Sequence, residues 1–236
     1  MLGVLGGMGP LATADFFNKL LALTAARCDE DHLPVLLLSD PRIPRRPAAI
    51  LDGGESPLPR LRALRDQLVG AGATFLAMPC NTAHHWYADL AADCPVPFLS
   101  IVEASVAALA RLPAPPSHGA PVGLVATAAT LAAQVYDAPL ATAGFTVLTP
   151  HAHAQRDAVL PAIAQVKAGQ LHAAAALLEP VVASLLARGA GAVLLACTEV
   201  PVALDAAASP LRAQCVDTSA ALAAACIAHW RDARAA

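Results

Sequence analysis

Two cysteines stand where acid–base chemistry needs them. Cys80 follows the apolar run Ala73-Thr74-Phe75-Leu76-Ala77-Met78-Pro79 and precedes Asn81-Thr82. Cys197 follows Ala190-Gly191-Ala192-Val193-Leu194-Leu195-Ala196 and precedes Thr198-Glu199. Each sulfur falls where a strand pattern gives way to a helix pattern. A free thiol titrates near pH ~8.5 and a helix N-terminus lowers that value, which makes a thiolate accessible at either corner. A thiolate on one face of a carbon and a thiol on the other can remove a proton from one side and return it to the other, with roles exchanged for the reverse direction. A lone free cysteine more often packs as a small hydrophobe. A matched pair, each trailed by polar residues, points instead to catalysis. Cys28, Cys94, Cys215 and Cys226 have no such counterpart and read as structural.

Short β-rich runs alternate with longer helix-like segments, the pattern of an α/β protein with mostly parallel sheets flanked by helices. Strands are expected at Leu2–Leu5, Val35–Ser39, Thr74–Met78, Phe98–Ile101, Val122–Ala126, Thr146–Thr149, Ala192–Ala196 and Gln214–Val216. Helices are expected near 11–27, 56–71, 82–91, 102–111, 130–141, 156–168, 171–188 and 218–233. The stretch Pro113–Pro121 reads as a linker or surface loop between the two sets. Gly3-Val4-Leu5 can be laid over Gly123-Leu124-Val125, Cys80 over Cys197, and the run ending at Ser100 over the run ending at Thr218, with a near-constant offset. That regularity predicts an internal duplication: two pseudo-symmetric lobes, one from residues 1–100 with 215–236 and the other from 101–214. Ligands of open α/β sheets bind outside the carboxyl ends of the strands, so the expected active site is the cleft between the lobes.

Composition narrows the classes. The chain has 236 residues, enough for one large domain or two lobes with a proper core. A formal net charge of −3 without basic blocks argues against nucleic acid and anionic membrane partners. The most apolar stretch, Leu171–Leu204, is interrupted by His172, Glu179, Pro180, Arg188 and Glu199 and does not read as a membrane span. Met1-Leu2-Gly3-Val4-Leu5 reads as a strand without a basic leader before it, so a cytoplasmic location is expected, where six cysteines stay reduced.

Gly3-Val4-Leu5-Gly6-Gly7-Met8-Gly9-Pro10-Leu11-Ala12-Thr13, Met78-Pro79-Cys80-Asn81-Thr82-Ala83-His84 and Cys197-Thr198-Glu199-Val200-Pro201 resemble the signature segments of the aspartate/glutamate racemase family. Val122–Thr127, Val166-Lys167-Ala168-Gly169 and Asp217-Thr218 fit the same pattern, and the likeness runs from end to end. The resemblance implies a cofactor-independent amino-acid racemase, usually a homodimer, with Cys80 and Cys197 as its two bases. It also implies that Arg46 and Lys167 hold the side-chain carboxylate of an acidic amino acid, aspartate ahead of glutamate. In Asp40-Pro41-Arg42-Ile43-Pro44-Arg45-Arg46-Pro47 this chain departs from the family's Pro-Gln-x-Pro-Asp-Arg-Thr pattern: Arg42 stands for glutamine, Arg45 for an acid and Pro47 for threonine. Ala129 and Ala196 replace glycines. These departures leave the reaction type intact, add charge near the side-chain pocket and bear on the substrate.

The binding groups can also be read from the residues. With only Lys19 and Lys167 in the chain, there is no obvious pyridoxal site, so a carbanion must be stabilised by hydrogen bonds to the substrate's α-carboxylate. Helix-start amides, Asn81, Thr82, Thr127 and Thr198 supply donors. Asn81 and Thr198 read as binding groups, whereas Thr127 and Thr130 fit an ordinary cap equally well. The Gly6–Pro10 loop opens a helix, and Met8 and Gly9 there could cradle a carboxylate. Gly7-x-Gly9-x-x-Ala12 with Asp31 also satisfies a loose dinucleotide fingerprint, a weak match. Glu199 could orient or tune the Cys197 thiol, or favour the first turn of its helix. Cys80, His84 and His85, or His151 and His153, could suggest a metal, but no four-ligand zinc spacing appears and no metal is expected. The rivals are a related isomerase or decarboxylase on the same scaffold (hydantoin racemase, maleate isomerase, arylmalonate decarboxylase), a non-catalytic carboxylate-binding module, and a thiol redox protein, which lacks a Cys-x-x-Cys motif.

Overall fold

Leu2-Gly3-Val4-Leu5-Gly6 carries no polar side chain, as a parallel strand covered on both faces requires, and all five residues are buried in β1 (Leu2–Gly6). The computed structural model describes residues 1–112 and 114–235; Pro113, the first residue of the expected linker, and Ala236 lie outside the described residues. The chain forms two compact units, Met1–Ala104 with Ser219–Ala236, and Ser105–Thr218.

In the first unit β1 pairs in parallel with β2 (Val35–Ser39) and β3 (Phe75–Ala77), and β3 pairs with β4 (Phe98–Leu99), giving the order β2-β1-β3-β4. In the second unit β5 (Pro121–Ala126) lies between β6 (Thr146–Leu148) and β7 (Ala192–Ala196), and β7 pairs with β8 (Cys215–Asp217). The order β6-β5-β7-β8, again all parallel, repeats the first. Both units therefore follow one α/β plan, the architecture expected from the sequence pattern. Each has its own apolar core, one around Leu5, Leu64, Leu76 and Met78, the other around Val125, Leu178, Val193 and Leu195. Among the described residues no helix is long and apolar enough to cross a membrane.

The elements differ from expectation where local chemistry intervenes. The helix expected near 130–141 is two helices, Ala128–Ala132 and Asp137–Thr142, separated where Gln134 takes φ 51°. The restart at Asp137 puts Pro139 in a first turn, where its missing N–H costs no helical bond. The segment after Cys80 begins as a 3₁₀ helix, Thr82–Trp86, before the α-helix Tyr87–Ala91. The helix expected at 156–168 starts earlier, at Ala152, and passes through a π-helical turn, Gln155–Val159, before Leu160–Lys167. Arg46–Leu51 is a helix absent from the expected set, and the helix expected to begin after Cys197 is Glu199–Ala206.

Candidate functional site

The first unit carries three segments of interest after the carboxyl ends of β1, β2 and β3. After β1, Gly7 adopts φ 95°, and a Cβ there would lie 2.4 Å from the Asp40 backbone, so only glycine permits this approach of two loops. The Gly7 N–H donates to Thr13 Oγ1 at 2.9 Å, and the Thr13 hydroxyl donates to the Gly9 carbonyl at 2.8 Å. Thr13 thereby pins the loop carrying Met8 and Gly9 to the helix Pro10–Leu23, whose first residue is the proline.

Asp40, buried at the end of β2, accepts from the Arg42 N–H at 3.0 Å, from Arg42 Nε at 2.9 Å and from Arg60 Nε at 2.9 Å. The hydrogen bonds from Arg42, then from Arg60, hold its carboxyl well below the usual carboxylate range. Arg42, expected to add charge near a side-chain pocket, is thus paired with a carboxylate two residues away that it shares with Arg60. Arg46 opens the helix Arg46–Leu51. Its Nη1 donates to the carbonyls of Ile43 and Pro44, both at 3.1 Å, which fixes one arm of the guanidinium against its own loop.

Cys80, Asn81 and Thr82 are all buried just beyond β3. The Asn81 side chain makes no cap bond to the short helix that it precedes. His84, which the sequence offered as a metal candidate, serves the turn instead. Its Nδ1 lies 2.8 Å from the Cys80 carbonyl, and its Nε2 accepts from the Ile101 N–H at 3.0 Å.

In the second unit Cys197 directly follows β7 and its Sγ donates to Glu199 Oε2 at 3.0 Å. Lys167 Nζ stands 3.8 Å from Glu199 Oε1, with Lys167 57% exposed and Glu199 only 6%. The expected lowering of this thiol by a helix start is overturned. Burial, followed by the negative charge of Glu199 and the hydrogen bond to it, pushes the Cys197 thiol well above its ordinary value. Cys197 therefore rests protonated, with a carboxylate against its proton and a cation behind that carboxylate. Thr198 makes no cap bond to the helix Glu199–Ala206. Thr127 does cap its helix: Oγ1 accepts from the Thr130 N–H at 3.1 Å and lies 2.9 Å from Thr130 Oγ1.

The other cysteines lack this company. Burial pushes the Cys226 thiol up to about 12 and that of Cys215 up to about 11, and Cys28 is exposed. Burial raises Cys197 as well, so the thiol's environment alone does not mark it out; the carboxylate at its hydrogen does. His151 and His153 stack at 5.7 Å, and among the described residues no three histidine, cysteine or acidic side chains cluster as metal ligands. Asp31 sits in a turn before β2, its carboxylate accepting from the Arg27 N–H at 2.9 Å. Sequence reasoning did not foresee Asp40 as the organiser of the arginine loop, nor Gln155, whose Nε2 donates to the Ala126 carbonyl at 2.9 Å from inside the π-helical turn. The one available signal for Asp40 was an acid sharing a short loop with three arginines.

A family model described as Asp/Glu/Hydantoin racemase matches residues 5–226. The chain is 28% identical over 236 residues to a broad specificity amino-acid racemase, RacX, of Bacillus subtilis strain 168, covering 94% of this chain and 95% of that protein. Among solved structures, an aspartate racemase of Picrophilus torridus superposes with a TM-score of 0.83 at 31% identity, covering 97% of this chain and 93% of the other. An aspartate racemase homologue from Pyrococcus horikoshii superposes with a TM-score of 0.74 at 20% identity over 98% of both chains, a likeness of fold.

Proposed function

The chain belongs to the Asp/Glu/Hydantoin racemase family, and from that premise we propose that it interconverts the enantiomers of an acidic amino acid, without a cofactor, by two-base exchange between Cys80 and Cys197. The observation that carries the reading is the Cys197–Glu199–Lys167 chain, which belongs to proton transfer rather than to packing. A buried structural thiol has no use for a buried carboxylate 3.0 Å away.

In one direction the thiolate of Cys80 removes the α-proton and the resting thiol of Cys197 delivers a proton to the opposite face. Cys197 is then the thiolate and Cys80 the thiol, so the next turnover either runs in reverse or waits for proton redistribution. In that reset Cys80 gives its proton to solvent and Cys197 takes one from solvent through Glu199. For the other enantiomer Glu199 instead accepts the Cys197 proton before turnover, and Lys167 compensates its charge. The planar intermediate carries its charge on the α-carboxylate. Asn81, Thr82 and the loop at Met8 and Gly9 from the first unit, with Thr127 and Thr198 from the second, are the donors assigned to it. A thiolate is a far weaker base than an amino acid's α-carbanion, so the proton leaves only if these donors stabilise the charge that develops.

Arg46 and the exposed ammonium of Lys167 are assigned to the side-chain carboxylate. The fork of Arg46 is half committed to its own loop, leaving its other edge to hold a carboxylate. Aspartate is favoured over glutamate because the aspartate racemase of Picrophilus torridus is the 31% relative. A wider range is the second reading, supported by the similarity to the broad specificity racemase of Bacillus subtilis. We assign the protein to the cytosol as a homodimer, on the basis of its six free thiols and the family's habit.

The test is chiral chromatography of the purified protein incubated in deuterium oxide with each common L-amino acid and with small hydantoins. Inversion of aspartate or glutamate with one deuterium at the α-carbon supports the reading. Turnover of hydantoins alone, or binding without exchange, would replace it with one of the rivals.

A further inference from the structure

We infer that His84 is a positioning residue for the Cys80 thiol: a neutral imidazole that ties the carbonyl of the cysteine to the first amide of the helix Ile101–Leu109. The inference rests on the assignment of Cys80 as an acid–base group and adds a residue that no reading of the substrate site requires.

The geometry starts from a backbone deficit. In an α-helix beginning at Cys80, the N–H of residue 84 would bond the carbonyl of residue 80. The segment is 3₁₀ instead, and the His84 N–H goes to the Asn81 carbonyl at 3.0 Å. The Cys80 carbonyl is taken by the imidazole of the same residue, Nδ1 at 2.8 Å. The side chain thus replaces the missing helical bond while leaving the tight turn that presents the thiol.

The second contact fixes the proton. The Ile101 N–H can only donate, so Nε2 must be the bare acceptor at 3.0 Å. The Cys80 carbonyl can only accept, so Nδ1 must carry the hydrogen. The tautomer is set from both sides, and complete burial opposes a second proton, pushing the imidazolium down to about 4. The ring is held in plane by stacking on Tyr87, with centroids 5.3 Å apart and planes 9° apart, and the Tyr87 hydroxyl donates to the Phe98 carbonyl at 2.6 Å. Phe98 lies in β4, the strand beside β3. The turn carrying Cys80 is therefore braced against the neighbouring strand and the helix that follows it. Loss of the ring would remove one partner from the Ile101 N–H and one from the Cys80 carbonyl at the same time.

Three variants separate positioning from packing. An asparagine side chain places an N–H where Nδ1 stands, and a glutamine places an acceptor where Nε2 stands. His84→Asn should keep the bond to the Cys80 carbonyl and retain most of kcat. His84→Gln and His84→Leu should lose it and lower kcat by about tenfold with little change in KM. The rate of Cys80 alkylation by iodoacetamide against pH, resolved by peptide mass mapping, should move in His84→Gln and His84→Leu while that of Cys197 in the same molecules stays put. If asparagine and glutamine lose activity equally, or the Cys80 profile does not move, or both cysteines move together, His84 is a packing residue and the inference fails. The alkylation profiles need no turnover, so they report on His84 even if no amino acid proves to be a substrate. Nitrogen NMR of histidine-labelled wild-type protein supplies a check without substitution. It should show His84 as the neutral Nδ1–H tautomer throughout pH 6–8, a window above its titration near 4; the Nε2–H tautomer or an imidazolium there overturns the assignment.

Discussion

Replacing Glu199 by glutamine separates the two effects that the carboxylate has on Cys197. The Cys197 Sγ–H donates to Glu199 Oε2 at 3.0 Å, and that bond, together with the carboxylate's charge, favours the thiol over the thiolate. A hydrogen bond to a charged group contributes about 1.5–3 kcal/mol and one to a neutral amide oxygen about 0.5–1.5 kcal/mol, so glutamine keeps part of the bond and removes the charge. Burial, the larger cause of the upward shift, stays in the variant. The thiol should therefore remain above its ordinary value yet titrate lower than in the wild type, so the sign of the change is toward more thiolate at a given pH. A more reactive thiolate would raise activity if acidity alone mattered. Turnover of the enantiomer that Cys197 deprotonates needs an acceptor for the Cys197 proton, and a glutamine amide is not one, so kcat in that direction should fall by about 10²-fold, the low end of general acid–base contributions. The assay pairs kcat for each enantiomer with the pH profile of Cys197 alkylation, read by peptide mapping. Undiminished kcat, or a profile that stays in place or moves to higher pH, would refute the role given to Glu199.

Lys167→Met removes the positive charge behind Glu199 and should move the Cys197 alkylation midpoint upward, because that charge favours the thiolate. The shift should be small, since the ammonium is more than half exposed and solvent screens it; a downward shift in the same assay would contradict the chain of charges. Arg46→Ala should raise KM for aspartate and glutamate far more than for alanine, and equal losses across the three would remove its part in side-chain recognition. Gly7→Ala should destabilise the first unit by about 2 kcal/mol or more, combining the left-handed conformation with contact against the Asp40 backbone; urea unfolding within error of the wild type would show that the two loops yield. Light scattering on the purified protein should give twice the chain mass, and a monomer at micromolar concentration would refute the homodimer.

The fold was legible because its signals are periodic and local. Parallel strands buried on both faces read as unbroken apolar runs, and the eight runs found in the sequence are β1–β8 to within a few residues. Both cysteines were legible because each follows such a run directly, which puts it at a strand's carboxyl end. The imidazole bond from His84 to the Cys80 carbonyl was not, because it depends on the turn being 3₁₀ rather than α, a choice that the residues Asn81-Thr82-Ala83 do not announce. The pairing of Arg42 with Asp40 was also missed, since a loop with three arginines says nothing of which one folds back. The raised Cys197 thiol went the wrong way for a physical reason: a helix terminus acts on an exposed thiol, whereas here burial and a neighbouring carboxylate oppose it and prevail.

The central claim is that two sulfurs exchange a proton across one carbon, and the direct measurement is the fate of the α-hydrogen in deuterium oxide. Pure L-aspartate and pure D-aspartate are each incubated with wild type, Cys80→Ser and Cys197→Ser, and the α-proton signal and chirality are followed together. Wild type should invert either enantiomer with one deuterium incorporated per inversion, and each serine variant should stop inversion, with any slow exchange confined to one enantiomer. Full-rate inversion by either variant would contradict the account.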